Sequence, residues 1–126
     1  MTNIPDSCWG YLFKNCTAIV DASELKLPAP TVKNFGYGWM FDGCTNLVKG
    51  PEVFATTIGT RYGIDHFFNN CTSLQEIKIH YTGSFGGERF AGWVTNVPSG
   101  GTIYYNGSDR STGANAIPNG WTVQSF

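Results

Sequence analysis

Three segments of this chain are copies of one another, and that repetition restricts the fold more than any other feature. Leu12-Phe13-Lys14-Asn15-Cys16-Thr17-Ala18-Ile19 aligns with Met40-Phe41-Asp42-Gly43-Cys44-Thr45-Asn46-Leu47. Both align with Phe67-Phe68-Asn69-Asn70-Cys71-Thr72-Ser73-Leu74. Every copy has Phe three places before Cys, Asn or Gly just before it, Thr just after it, and Ile or Leu three places after it. The cysteines stand 28 and then 27 positions apart. A period of about 20–50 residues marks one supersecondary unit per repeat, stacked so that neighbours bury a shared core. The pattern predicts a solenoid with a repeated core of Phe13, Cys16 and Ile19, then Phe41, Cys44 and Leu47, then Phe68, Cys71 and Leu74.

The alignment extends outward. Cys8, Gly36 and Gly63 share a small-residue column, and Trp9, Tyr37 and Ile64 share the next. Tyr11, Trp39 and His66 share another, which places His66 in the packing of the repeat. The half-unit before Cys, such as Tyr37-Gly38-Trp39-Met40-Phe41, is aromatic and compact and suits a short helical turn. The half after Cys, such as Leu74-Gln75-Glu76-Ile77-Lys78-Ile79-His80, alternates apolar and polar residues, the period of a strand. Pro28, Pro30, Pro51, Gly59 and Gly63 punctuate the joints. The expected class is α/β: a leucine-rich-repeat solenoid with short helical turns and a parallel strand face.

The run Leu27-Pro28-Ala29, the core Tyr37 to Leu47, and Pro51-Glu52-Val53-Phe54-Ala55-Thr56-Thr57 resemble the BspA-type leucine-rich repeats of gut Bacteroidetes surface and mobile-element proteins. The resemblance covers roughly Cys8 to Tyr81. It departs from the family where Gly36 and Gly63 stand in a position often held by Cys, and where the first strand is stretched. It implies a module at the cell surface that adheres to a host surface, a matrix or another bacterium.

Residues 1–81 therefore hold the three repeats, and residues 82–126 form a C-terminal β-rich capping segment of the same domain. A stacked array must close its open apolar end. Thr102-Ile103-Tyr104-Tyr105 and Trp121-Thr122-Val123-Gln124-Ser125-Phe126 read as strands, and Asn106-Gly107 is a strong turn signal. The expectation is a β-hairpin cap, with Trp93, Tyr104 and Trp121 covering the end of the core.

Cys16, Cys44 and Cys71 occupy equivalent positions, so they predict a ladder of buried thiols about 5 Å apart rather than paired disulfides. A Cys8–Cys16 bridge is the one disulfide worth weighing, and the glycines in the Cys8 column argue against it. No Cys-x-x-Cys is present, so no metal or other cofactor is expected. Glu24, Glu52 and Glu76 recur near the strands, where a solvated ladder explains them better than an acid–base pair. His80 alternates with Ile79 and should face outward. The Asn-x-Thr/Ser triplets at Asn15 and Asn70 fall inside the repeat motif, which accounts for them without glycosylation.

Charged residues make up only 13% of the chain and the net charge is −1, with no basic patch to attract nucleic acid. No apolar run approaches the length that spans a bilayer, and Met1 to Asp6 lacks the pattern of an export signal. The expected function is non-catalytic recognition of a protein or a glycan at an extracellular or cell surface. The strand-face residues Glu52, Phe54, Glu76, Lys78, His80 and Tyr81 are the candidate contacts. The alternatives are a structural or decoration component of a virion or larger surface assembly, which predicts oligomers, and a glycan-active enzyme, which needs a deep pocket with perturbed carboxylates.

Overall fold

A computed structural model describes residues 3–4 and 10–126, with side chains from Gly10 onward. The chain is a parallel β-solenoid of about three turns. Among the described residues, eight short strands form two sheets. The first holds β1 (Asn3–Ile4), β3 (Thr31–Val32) and β5 (Thr57–Ile58) in that order. The second holds β2 (Lys26–Leu27), β4 (Lys49–Val53), β6 (Glu76–Ile79), β7 (Thr102–Tyr104) and β8 (Thr122–Gln124). Every strand pair is parallel. Each coil thus adds one strand to a sheet and returns to the same edge.

The aromatic half-units are not helices. Among the described residues the one helical segment is the 3-10 turn Glu88–Phe90. The reason lies in the backbone. Trp39 and Gly43 both have positive φ, as do Tyr11 and Asn15 in the first copy and His66 and Asn70 in the third. A left-handed residue every fourth position cannot continue a right-handed helix. The segments instead stack as hydrogen-bonded turns. Phe13 donates its N–H to Met40 O at 2.8 Å, Phe41 to Phe67 O at 3.0 Å, and Phe68 to Trp93 O at 2.8 Å. Flanking positions repeat the pattern, from Asn15 to Asp42 O and from Gly43 to Asn69 O.

The predicted core columns are where the turns meet. Phe41, Cys44, Leu47, Phe68, Cys71 and Leu74 are buried, while Phe13, Cys16 and Ile19 in the first turn are half-buried and pack against them. The thiols form the expected ladder. Cys44 donates to Phe13 O at 3.1 Å and Cys71 to Phe41 O at 3.2 Å, so each thiol satisfies a carbonyl of the preceding turn. Cys16, Cys44 and Cys71 are free thiols. Cys8 lies outside the described residues. Burial holds the Cys44 thiol up at about 11 and pushes that of Cys71 higher still.

β4 lies between β2 and β6, yet it contains Pro51, which cannot donate to a ladder. The register shifts between Lys49 and Glu52, and this irregularity accommodates the proline.

Residues 82–126 do not form a hairpin. β7 and β8 pair, but in parallel, with Thr102 opposite Thr122 and Tyr104 opposite Gln124. The loop between them is long enough to carry the chain back to the starting edge, and Asn106-Gly107 turns within it rather than between antiparallel strands. The coil in fact goes on past the last Cys. Asn96 has φ 64 and takes the place of Asn70, one place before Val97 as Asn70 is before Cys71. Beyond this turn the N–H of Val94 meets Ala114 O at 3.1 Å, that of Gly92 meets Asn115 Oδ1 at 2.7 Å, and the Trp93 indole meets Ala116 O at 2.8 Å. Trp93 and Trp121 are buried as expected, whereas Tyr104 faces outward beside Lys78. The first sheet stops at β5, where Arg89 Nε donates to Ile58 O at 2.8 Å in place of a further strand.

Two outcomes follow from this core. Leu74→Ala leaves a cavity among fully buried neighbours and lowers unfolding free energy by about 2–5 kcal/mol, measured by urea denaturation. Site-resolved alkylation by iodoacetamide at pH 8 leaves Cys44 and Cys71 unmodified in the native protein and labels both once it is unfolded.

Candidate functional site

The strand face holds part of the expected contact set. Glu52, Glu76, Lys78 and His80 all project from the outer side of β4, β6 and their margins. The register does not stack carboxylate on carboxylate. Glu52 lies opposite Lys26 on one side and Lys78 on the other, and Glu76 lies opposite Lys49. Charges therefore alternate along the ladder, and Glu24 stands outside it. Lys26 Nζ reaches Glu52 Oε1 at 3.1 Å, and His80 Nε2 donates to Glu52 Oε2 at 2.7 Å. His80 is also sandwiched between Phe54 at 4.7 Å and Phe126 at 4.1 Å. Tyr81 does not belong to this face. It is buried, its hydroxyl donating to Ser84 O at 2.8 Å and accepting from Arg89 Nη1 at 2.8 Å, because the alternation that turns His80 outward turns the next residue inward. Glu52 is thus engaged by Lys26 and His80, and Lys78 lies over the Tyr104 ring.

A concave site lies elsewhere, on the turns before the cysteines. Its volume is about 440 Å³, and it is lined by Gly10, Tyr11, Phe35, Gly38, Trp39, Tyr62, Asp65 and His66. One wall is the Tyr11, Trp39 and His66 column that the sequence alignment groups together. Tyr11 and Trp39 lie 6.0 Å apart and Trp39 and His66 3.9 Å apart, all within 8° of parallel. The other wall is Phe35 and Tyr62, 5.5 Å apart. Sequence reasoning missed this second row. Its signal was available, since Phe35 and Tyr62 stand one turn apart, each one place before a glycine of the small-residue column.

All five aromatics have positive φ, from 50 to 64. A left-handed conformation costs a residue with a Cβ about 1–2 kcal/mol. The chain contains a second left-handed column, just before the cysteines, and there the residues are Asn15, Gly43, Asn70 and Asn96. These are the types that tolerate the conformation. In the groove column, Gly92 takes the left-handed place only in the turn beyond the cavity. Aromatic rings thus occupy the strained positions along the cavity and nowhere past it. Stacking offsets about 0.5–1.5 kcal/mol per pair.

Asp65 ties the wall together. Its carboxylate accepts from His66 Nδ1 at 3.0 Å and from the Trp39 indole. Burial holds its proton affinity above that of an ordinary aspartate, and these bonds oppose the rise. A Cβ on Gly38 would collide with this carboxylate, so the glycine makes room for it. Tyr62 gives its hydroxyl proton to Glu88, which holds the phenol above its ordinary value. Lys14 lies 5.1 Å from the Tyr11 ring centre and 5.7 Å from that of Trp39, with Asp42 Oδ2 at 3.7 Å from its ammonium.

No family model, no curated protein and no solved structure matches the chain.

Glu52 gives the strand face a defined acid response. The His80 hydrogen bond, with Lys26, holds its carboxyl below the ordinary glutamate value. A lowered folded value adds stability above the unfolded value, and that stability is lost as pH falls through the folded one. Glu52→Gln therefore flattens the fall of Tm between about pH 5 and pH 3, as read by thermal melts across that range. Asp65 has the opposite sign, since its raised value favours the native state on acidification.

Proposed function

We propose that the chain is a non-catalytic recognition module whose ligand, a glycan or a protein, lies in the aromatic groove between Tyr11-Trp39-His66 and Phe35-Tyr62. The observation that carries this reading is the choice of aromatics at left-handed positions that the same chain fills with Asn or Gly where no cavity lies. Backbone strain concentrated along a cavity is a mark of a binding site. The groups that suit acid–base chemistry are bonded within the wall, and Asp65 serves to hold two rings, which favours binding over turnover. Open, elongated binding surfaces are the usual use of solenoids.

The repeat is read here as a leucine-rich type akin to the BspA proteins. Leu47 and Leu74, both fully buried at equivalent positions, support that reading. Residues 82–126 act in it as the capping segment, supported by Ala114 O, Asn115 Oδ1 and Ala116 O, which accept from Val94, Gly92 and the Trp93 indole. Placement at a bacterial cell surface rests on the sequence resemblance.

The test is an array of glycans and purified matrix proteins, probed with the wild-type chain and with Trp39→Ala, Tyr62→Ala and His80→Ala. At least one ligand binds the wild type, loses at least tenfold in signal with either groove variant, and retains it with His80→Ala. Absence of any wild-type signal, or signals indifferent to the groove variants, overturns the assignment.

A further inference from the structure

We infer that the groove takes an uncharged, linear glycan lying along the solenoid axis; this rests on the groove being a recognition site. Three observations lead there. The first is repetition. The groove is built from turns stacked about 4.8 Å apart, so a ring recurs at every turn along its length, at intervals of 6.0 Å and 3.9 Å. A ligand that matches it is itself a repeat of small units, as a polysaccharide is.

The second is charge. Among the described residues that line the groove, Asp65 is the one carboxylate and His66 the one titratable base. Asp65 is turned toward His66 Nδ1 and the Trp39 indole, and only 9% of its side chain is exposed. At the rim, the Lys14 ammonium lies near Asp42 and over the Tyr11 and Trp39 rings. A strongly cationic ligand would meet that ammonium, and a strongly anionic one would meet Asp65. A neutral ligand meets neither conflict.

The third is the sense of the hydrogen bonds. An aromatic groove can also hold a polyproline helix, and such a ligand presents carbonyl acceptors that need donors from the wall. Here two of the wall donors are engaged within the wall, while the hydroxyl of the exposed Tyr11 stays open. The Trp39 indole gives its proton to Asp65, and the Tyr62 hydroxyl gives its proton to Glu88. Acceptor capacity remains. A carboxylate has about four lone-pair sites, and Asp65 takes two side-chain protons. His66, donating from Nδ1, keeps a lone pair on Nε2. Sugar hydroxyls donate to such acceptors, while the C–H faces of the rings pack on aromatic carbon. Open acceptors beside one open donor favour the sugar hydroxyl, which both donates and accepts, over a ligand that offers carbonyl acceptors alone.

Asp65 is a positioning residue in this scheme. It fixes the tilt of Trp39 and the tautomer of His66 at once, so the wall is assembled before the ligand arrives.

The experiment is isothermal titration of the full chain with cellohexaose, laminarihexaose and mannohexaose, against hexameric glucosamine and a proline decamer. At least one neutral hexasaccharide binds saturably, more tightly than its disaccharide. Trp39→Ala weakens it at least tenfold, and Asp65→Asn weakens it about fivefold. In Asp65→Asn the imidazole nitrogen shifts of His66 also leave the Nδ1–H tautomer, a change that a purely structural role elsewhere would not produce. Thermal melts and far-UV circular dichroism of both variants verify folding, and Tyr11→Ala serves where either fails to fold. Saturable binding of the proline decamer alone, lost in Trp39→Ala, overturns the glycan assignment and leaves the groove as a recognition site. Tighter binding of hexameric glucosamine than of every neutral hexamer overturns the neutrality argument. No binding by any probe, together with silent arrays, overturns both readings.

Discussion

The backbone hydrogen bond that joins each turn to the next at one recurring place is the interaction on which the rest of this molecule depends. Phe13 to Met40, Phe41 to Phe67 and Phe68 to Trp93 are the same bond made three times. Each holds one coil directly over the next, so each side chain meets the side chain that took its place one repeat later. Phe13 meets Phe41 at 5.2 Å and Phe41 meets Phe68 at 6.0 Å. The thiols meet the turn backbone in the same manner. Residue type at one position is therefore constrained by residue type about 27 places away, which is why the chain reads as copies of itself.

The same stacking explains why the two left-handed columns hold such different residues. In the column before the cysteines Asn and Gly adopt the left-handed conformation at low cost. Asn96 Nδ2 reaches Asn70 Oδ1 at 2.6 Å, so that column adds a side-chain ladder of its own. The groove column faces solvent, and the strain of its rings is offset only in part by their stacking. What the backbone would accept most easily and what the surface displays are at odds along the groove alone.

Much of the fold was legible because columns are written in the sequence. The three core triplets, the thiol ladder, the burial of Tyr37 and Ile64 and the placement of His66 beside Trp39 all follow from alignment of the copies. The helical turns were misread because compact aromatic segments look alike whether they wind to the right or reverse by left-handed residues. Asn15, Gly43 and Asn70 carried that information, since they share a preference for positive φ. The fourth coil was hidden because Val97 stands where Cys is expected. The parallel pairing of β7 and β8 was hidden because Asn106-Gly107 signals a tight turn without saying what it joins. The strand face was placed from alternation, which puts His80 outward and, carried one place further, puts Tyr81 inward, so the expectation for Tyr81 broke the pattern it rested on. The groove was half legible: one wall is an aligned column, while the other requires knowing that Phe35 and Tyr62 come opposite it.

The row of rings ends where Gly92 replaces an aromatic. Its two intervals, 6.0 Å and 3.9 Å, make a rail of about 10 Å, or two steps of a parallel ladder. A contact this short would cover only a few units of any polymer, and a ligand of the proposed kind would be held briefly by a single copy. Firm attachment then comes from number rather than from depth. Several copies displayed together raise the local concentration of sites, and linked weak contacts gain about 10²–10⁴-fold in avidity without any new bond. The glycine that ends the rail thereby limits how much of any ligand one copy of the chain can touch.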